Sequence, residues 1–110
     1  MKKILALSLL VSAFMAAGAY AATAADNWDN NCAKCHAADG SGNNKMGKKL
    51  KVKDYTDASV QAGLKDEDIV KAIKDGVKDE NGKDRMKGFK DDLSDTEVTD
   101  LVASIRKMKK

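Results

Sequence analysis

The chain has 110 residues, with two Cys, one His, one Trp, no Pro, and twenty Lys and Arg against seventeen Asp and Glu. That length makes one domain and leaves no room for a second. The formal charge of +3 includes Lys2 and Lys3, so the rest of the chain is close to neutral and offers no electrostatic footprint for nucleic acid.

Residues 1–24 read as a secretory leader. Lys2 and Lys3 form the charged start, Ile4 to Gly18 is an apolar run interrupted only by serines, and small residues come next. Two segments fit the small-x-small cleavage rule, Ala19-Tyr20-Ala21 and Ala22-Thr23-Ala24, of which the second is preferred. The competing reading, an uncleaved membrane anchor, is disfavoured by the modest length of the run and its Ala-rich end. The expected location is therefore the periplasm, with residues 25–110 as the domain. Eighteen of the 47 hydrophobic residues fall in positions 1–24, leaving 29 among the 86 that remain. A core that thin is marginal without a staple.

The segment Asp26 to Cys35 predicts a first helix, capped by Asp26 or Asn27. Trp28 stands one turn before Cys32 on the same face, where its expected role is packing. Then comes Cys32-Ala33-Lys34-Cys35-His36. Residues three apart on a helical turn share a face, so both thiols can reach the vinyl groups on one side of a porphyrin, and the imidazole next to them is placed to ligate iron. Cys-x-x-Cys-His is the spacing of covalent c-type haem attachment. A closed zinc site lacks its third and fourth ligands, because the chain has no further Cys and no second His. A thioredoxin-like disulfide lacks a βαβ pattern to carry it. An exported protein with only this pair would also tend to form a disulfide unless its thiols had another fate, and thioether formation supplies one. One covalent haem c is the expected cofactor. It also staples the thin core, so the apoprotein is expected to be largely unfolded.

Ala37 to Lys53 reads as irregular, with turns at Gly40, Gly42, Asn43, Asn44 and Gly47. Leu50 and Val52 are expected to face the haem, and a carbonyl near Gly47 and Lys48 is the expected acceptor for the second ring N–H of His36. Thr56 to Gln61 predicts a helical turn capped by Asp57 or Thr56. Tyr55 is either packed or a donor to a haem propionate.

Asp66 to Asp75 is clearly helical, with acids in the first turn, a Leu64 and Ile69 staple, a stripe of Ile69, Ala72 and Ile73, and Gly76 to end it. Val77 to Lys90 reads as a loop with its turn at Asn81-Gly82. The last helix carries the strongest local code. Ser94 and Glu97 make a capping box, Leu93 and Val98 a staple, and Val98, Leu101, Val102 and Ile105 a stripe that needs a partner, for which the face of Trp28 is the candidate. No alternating run predicts a strand. The fold class is all-α, three or four short helices around one haem.

Function turns on the sixth iron ligand. His36 is the only histidine, so a second imidazole from this chain is excluded. Thioether sulfur is a good ligand that raises the potential, and after the leader the methionines are Met46, Met86 and Met108. Met108 reads as a frayed end or core filler, and Met46 lies in the loop on the His36 side. Met86 approaches from the loop beyond the middle helix and is preferred, with Met46 or an open position as the alternatives.

Cys32 to His36, Gly47-Lys48-Lys49-Leu50, and Met86-Lys87-Gly88-Phe89 before Leu93-Ser94-Asp95-Thr96-Glu97-Val98 together resemble the small monohaem class I c-type cytochromes of bacteria, over nearly all of Trp28 to Ile105. The resemblance implies a cytochrome c fold, terminal helices crossing near the haem edge, and His36 and Met86 as axial ligands. Two departures stand out. Lys48 and Lys87 occupy positions where the family often has proline, which should leave both loops less rigid. The function expected is a soluble, monomeric periplasmic electron carrier, not an enzyme, that exchanges electrons with redox proteins or with membrane-bound reductase or oxidase complexes and binds no nucleic acid. Lys34, Lys48, Lys49, Lys83, Arg85 and Lys87 are candidates to rim the haem edge. The alternative is a haem sensor or peroxidase-like enzyme with a labile sixth ligand, against which stands the lack of a distal His and Arg pair.

Overall fold

The computed structural model describes residues 22–110. The leader expected over residues 1–24, apart from its last three residues, lies outside the described residues, as does the membrane-anchor alternative. Helix α1 spans Ala24–Asn31 and α2 spans Ala33–His36. The single helix expected from Asp26 to Cys35 is thus interrupted at Cys32, where the Cys35 N–H bonds back to the Cys32 carbonyl at 3.1 Å. Its cap is Thr23, whose hydroxyl accepts from the Asp26 N–H, not Asp26 or Asn27. Asn27 is buried and used elsewhere: its amide donates to the Glu97 carboxylate at 2.8 Å, tying α1 to the C-terminal helix.

The segment expected to be irregular contains α3, Lys45–Leu50. Asn44, which reads as a turn residue, is its N-cap and accepts from the Gly47 N–H at 2.7 Å. Six residues with a glycine inside are too few to display a helical period, so only the cap was there to announce the helix. Helix α4, Ala58–Gly63, follows its expected Asp57 cap, and α5, Asp66–Asp75, ends at Gly76 as the sequence indicates.

A short antiparallel hairpin, β1 Val77–Lys78 with β2 Asp84–Met86, replaces the expected loop, turning through Asn81-Gly82. Val77 pairs with Met86 and Lys78 with Asp84. These strands are mostly exposed and charged, so they lack the apolar alternation that marks a half-buried strand.

Helix α6, Asp95–Arg106, carries the complete capping box of Ser94 and Glu97. Its buried stripe is Val98, Leu101, Val102 and Ile105, and α1 and α5 both pack on it. The core is completed by Trp28, Cys32, Ile69, Ile73, Phe89 and Leu93. Met108 is no frayed end: its sulfur lies over Gly40, where a Cβ would displace it. Among the described residues the architecture is all-α with six helices, two or three more than expected, because the first helix divides at Cys32 and α3 forms in the segment read as irregular. Among the described residues, no helix is long and apolar enough to cross a membrane.

Candidate haem site

Cys32, Cys35 and His36 all face a cavity of about 460 Å³, within the range of small-molecule and cofactor pockets. Leu50, Val52, Leu64, Ile69, Ala72, Ile73, Phe89 and Ile105 supply most of its apolar wall, including the two aliphatic residues expected to face a haem. Met86 also lines it, delivered by β2; Met46 and Met108 do not.

Two glycines place the parts that bear sulfur and nitrogen. A Cβ on Gly47 would collide with the carbonyl oxygens of Gly42 and Cys35, so only glycine lets α3 close on the end of the cysteine motif. Gly76 adopts φ 76°, and a Cβ there would strike the Met86 carbonyl, so this turn brings the hairpin tightly against the end of α5. Asn44 reinforces the first contact by donating to the carbonyls of Ala33 and Lys34 at 3.2 Å.

The His36 ring is held between aromatics. Trp28 lies 5.6 Å away in a tilted arrangement, and Tyr55 stacks at 5.4 Å with planes 21° apart. Tyr55 is thus packed against the imidazole, the first of its two expected roles. The Trp28 indole N–H donates to the Ala37 carbonyl at 3.0 Å, fixing the end of the motif. The expected bond from His36 to a carbonyl near Gly47 and Lys48 is not formed: Nδ1 is buried without a partner. The Gly47 and Lys48 carbonyls are instead taken by the Lys51 N–H at the end of α3, and Gly47 also receives the Val52 N–H at 3.1 Å. Burial holds the His36 pKa below the usual imidazole range, so the ring is neutral at pH 7 and keeps a lone pair for a metal.

Cys32 and Cys35 are both free thiols. Burial, and next to it the neighbouring Cys35, push the Cys32 pKa up to about 11, so that sulfur carries its proton at neutral pH. An apolar cavity with two thiols and a neutral imidazole on one segment has the donor set and the shape that a covalently attached haem requires.

The charged rim differs from expectation. Arg85 and Lys87 line the cavity, but Lys34, Lys48, Lys49 and Lys83 are exposed away from it. Lys51 and Lys53 take their place, with Asp68 as the one acid. Lys51 ends α3 in the left-handed conformation, φ 54°, and this turn carries residues 50–53 along the cavity. The signal was present in Leu50-Lys51-Val52-Lys53, where the cations flank the two aliphatic residues already assigned to the wall.

A family model for cytochrome c oxidase, cbb3-type, subunit III matches residues 19–105. A search of curated proteins finds no match. Among solved structures, the c-type cytochrome KustC0563 superposes with a TM-score of 0.69 at 30% identity, covering 81% of this chain and 100% of its own. The apolar cavity behind a Cys-x-x-Cys-His segment and both likenesses agree: the chain belongs to the family of the cbb3-type cytochrome c subunit III domain and is a small class I c-type cytochrome.

Proposed function

We propose that this protein is a soluble periplasmic electron carrier that holds one haem c through thioethers at Cys32 and Cys35, with His36 and Met86 as axial ligands. The observation that carries the reading is that Cys32, Cys35 and His36, and of the methionines Met46, Met86 and Met108 only Met86, line the same apolar cavity. The haem supplies one-electron exchange between ferric and ferrous iron.

The chain supplies the rest. Trp28 and Tyr55 fix the His36 ring, and burial keeps it neutral. Met86 offers an uncharged sulfur from the hairpin, and aliphatic residues line the cavity that it shares with His36. Lys51, Lys53, Arg85 and Lys87 make the mouth of the cavity positive, which favours encounter with acidic surfaces of partner proteins. The family is named for an oxidase subunit, which supports a respiratory oxidase or reductase complex, or a carrier serving one, as the kind of partner. The carrier acts as a monomer, performs no enzymatic step and binds no nucleic acid.

The test is spectroscopic. The purified ferric protein should show the long-wavelength band of sulfur-to-iron ligation. Met86→Ala should lose it and Met46→Ala should keep it. A band that survives Met86→Ala refutes the ligand assignment. Rapid carbon monoxide binding to the reduced wild type would instead establish a labile sixth position and a sensor or peroxidase-like role.

A further inference from the structure

Arg85 stands on β2 immediately before Met86 and lines the cavity. Its guanidinium donates through Nη2 to the backbone carbonyl of Leu50, 35 residues away in sequence. Leu50 ends α3, and its carbonyl is one of those a helix leaves without an internal partner. The contact therefore satisfies a helix end and spans the mouth of the cavity in one bond.

Each side of that span is anchored. Asn44 and Gly47 fasten α3 to the cysteine motif, and Gly76 fastens the hairpin to α5. Other side-chain bonds of the hairpin stay within it: Lys78 pairs with Asp84 at 2.7 Å, and the Asp79 carboxylate accepts from the N–H groups of Asn81 and Lys83. Lys87, on the far side of Met86, also lines the cavity, but its side-chain partners, Asp92 at 3.5 Å and the Phe89 ring, both lie in the chain that follows β2. Among the described residues, Arg85 has no carboxylate within ion-pair distance. Arg85–Leu50 is thus the side-chain bond that joins the strand bearing Met86 to the end of α3, the helix packed on the cysteine motif.

We propose that Arg85 is a positioning residue for Met86: by clamping β2 to the end of α3, it holds the sulfur where it can stay bound to iron, in place of the rigidity that a proline after the methionine would provide. This rests on the reading of Met86 as an axial ligand. Neutral or shorter side chains at this position would leave the hairpin free to swing away from the cavity and open the sixth position to small competitors.

The experiment compares holoproteins carrying Arg85→Ala, Arg85→Lys and Lys78→Ala, titrated in the ferric state with imidazole. Arg85→Ala should bind imidazole about fivefold more tightly than wild type, the size of one exposed hydrogen bond from a charged donor. It should also lose the long-wavelength band on warming before its helices unfold. Arg85→Lys, which keeps one donor, should fall between the two. Lys78→Ala, which weakens the hairpin without touching α3, should match wild type.

Equal imidazole affinity in wild type and both Arg85 variants would overturn the proposal. So would an equal gain in Lys78→Ala, because general loosening of the hairpin would then be the cause. An unchanged affinity with a midpoint potential that acquires a new pH dependence would assign Arg85 to a haem carboxylate, and would also overturn it. Failure of the underlying ligand reading is separately visible as a band retained in Met86→Ala.

Discussion

Blocking haem attachment should unfold the protein. In a Cys32→Ser, Cys35→Ser variant, the wall formed by Leu50, Val52, Leu64, Ile69, Ala72, Ile73 and Phe89 has no group to pack on across a cavity of about 460 Å³. At roughly 24 cal/mol per Å³ of residual cavity, leaving that space unfilled costs on the order of 11 kcal/mol. The mouth admits water and the wall can partly collapse, so about half of that is the better figure. Even about 5 kcal/mol equals the whole stability of many small domains, and among the described residues the core outside that wall is then only Trp28, Leu93, Val98, Leu101, Val102 and Ile105. The assay is urea denaturation followed by far-ultraviolet circular dichroism. The holoprotein should give one cooperative transition, and the variant a weak helical signal declining without one. A cooperative variant within about 2 kcal/mol of the holoprotein would refute the claim that the cofactor completes the core.

Gln61→Ala should cost about 2–3 kcal/mol by thermal or urea unfolding. Gln61 is buried, its amide donates to the carbonyls of Tyr55 and Ile105 at 2.8 Å, and its oxygen accepts from Arg106 at 3.1 Å. A loss below about 0.5 kcal/mol would mean that water replaces it. The Asn27 amide, and then the Ser94 N–H, hold the Glu97 carboxyl below its usual range. Its folded pKa is thus below the unfolded one, so its stabilisation is complete above the ordinary Glu range and is lost as pH falls through that range to the depressed value. Asn27→Ala should flatten this acid limb of the stability profile, and an unchanged limb would dismiss the coupling. Electron transfer with an acidic partner should slow as salt rises from low to physiological strength. Lys51→Glu with Lys53→Glu should abolish that dependence while Lys34→Glu leaves it, because only the first pair lines the mouth.

Local codes are legible wherever one residue type satisfies a backbone need by itself. The roles of Ser94 with Glu97, of Asp57 and of Gly76 can each be read from sequence, and α5 has the bounds its periodicity indicates. Helix α3 cannot, nor can the break at Cys32 that sets α2 apart from α1, since segments of four to six residues have no period of their own to read and depend on how their ends are tied to neighbours. The hairpin escapes for a related reason: its two and three residues are held by Gly76 and by Arg85, not by an apolar face.

The chemistry of the site is written in the order of residues. Two thiols and an imidazole at fixed spacing on one helical turn can meet a porphyrin whatever the rest of the chain does, because their separation is set by covalent geometry and helical pitch. Which methionine shares that cavity, which lysines surround it, and what holds the His36 ring depend on residues far apart in sequence. Those were decided only by tertiary packing. Close approach at Gly47 and Gly76 fixes where the two halves of the wall meet, and the His36 ring packs between Trp28 and Tyr55 in place of the expected bond to a carbonyl near Gly47 and Lys48.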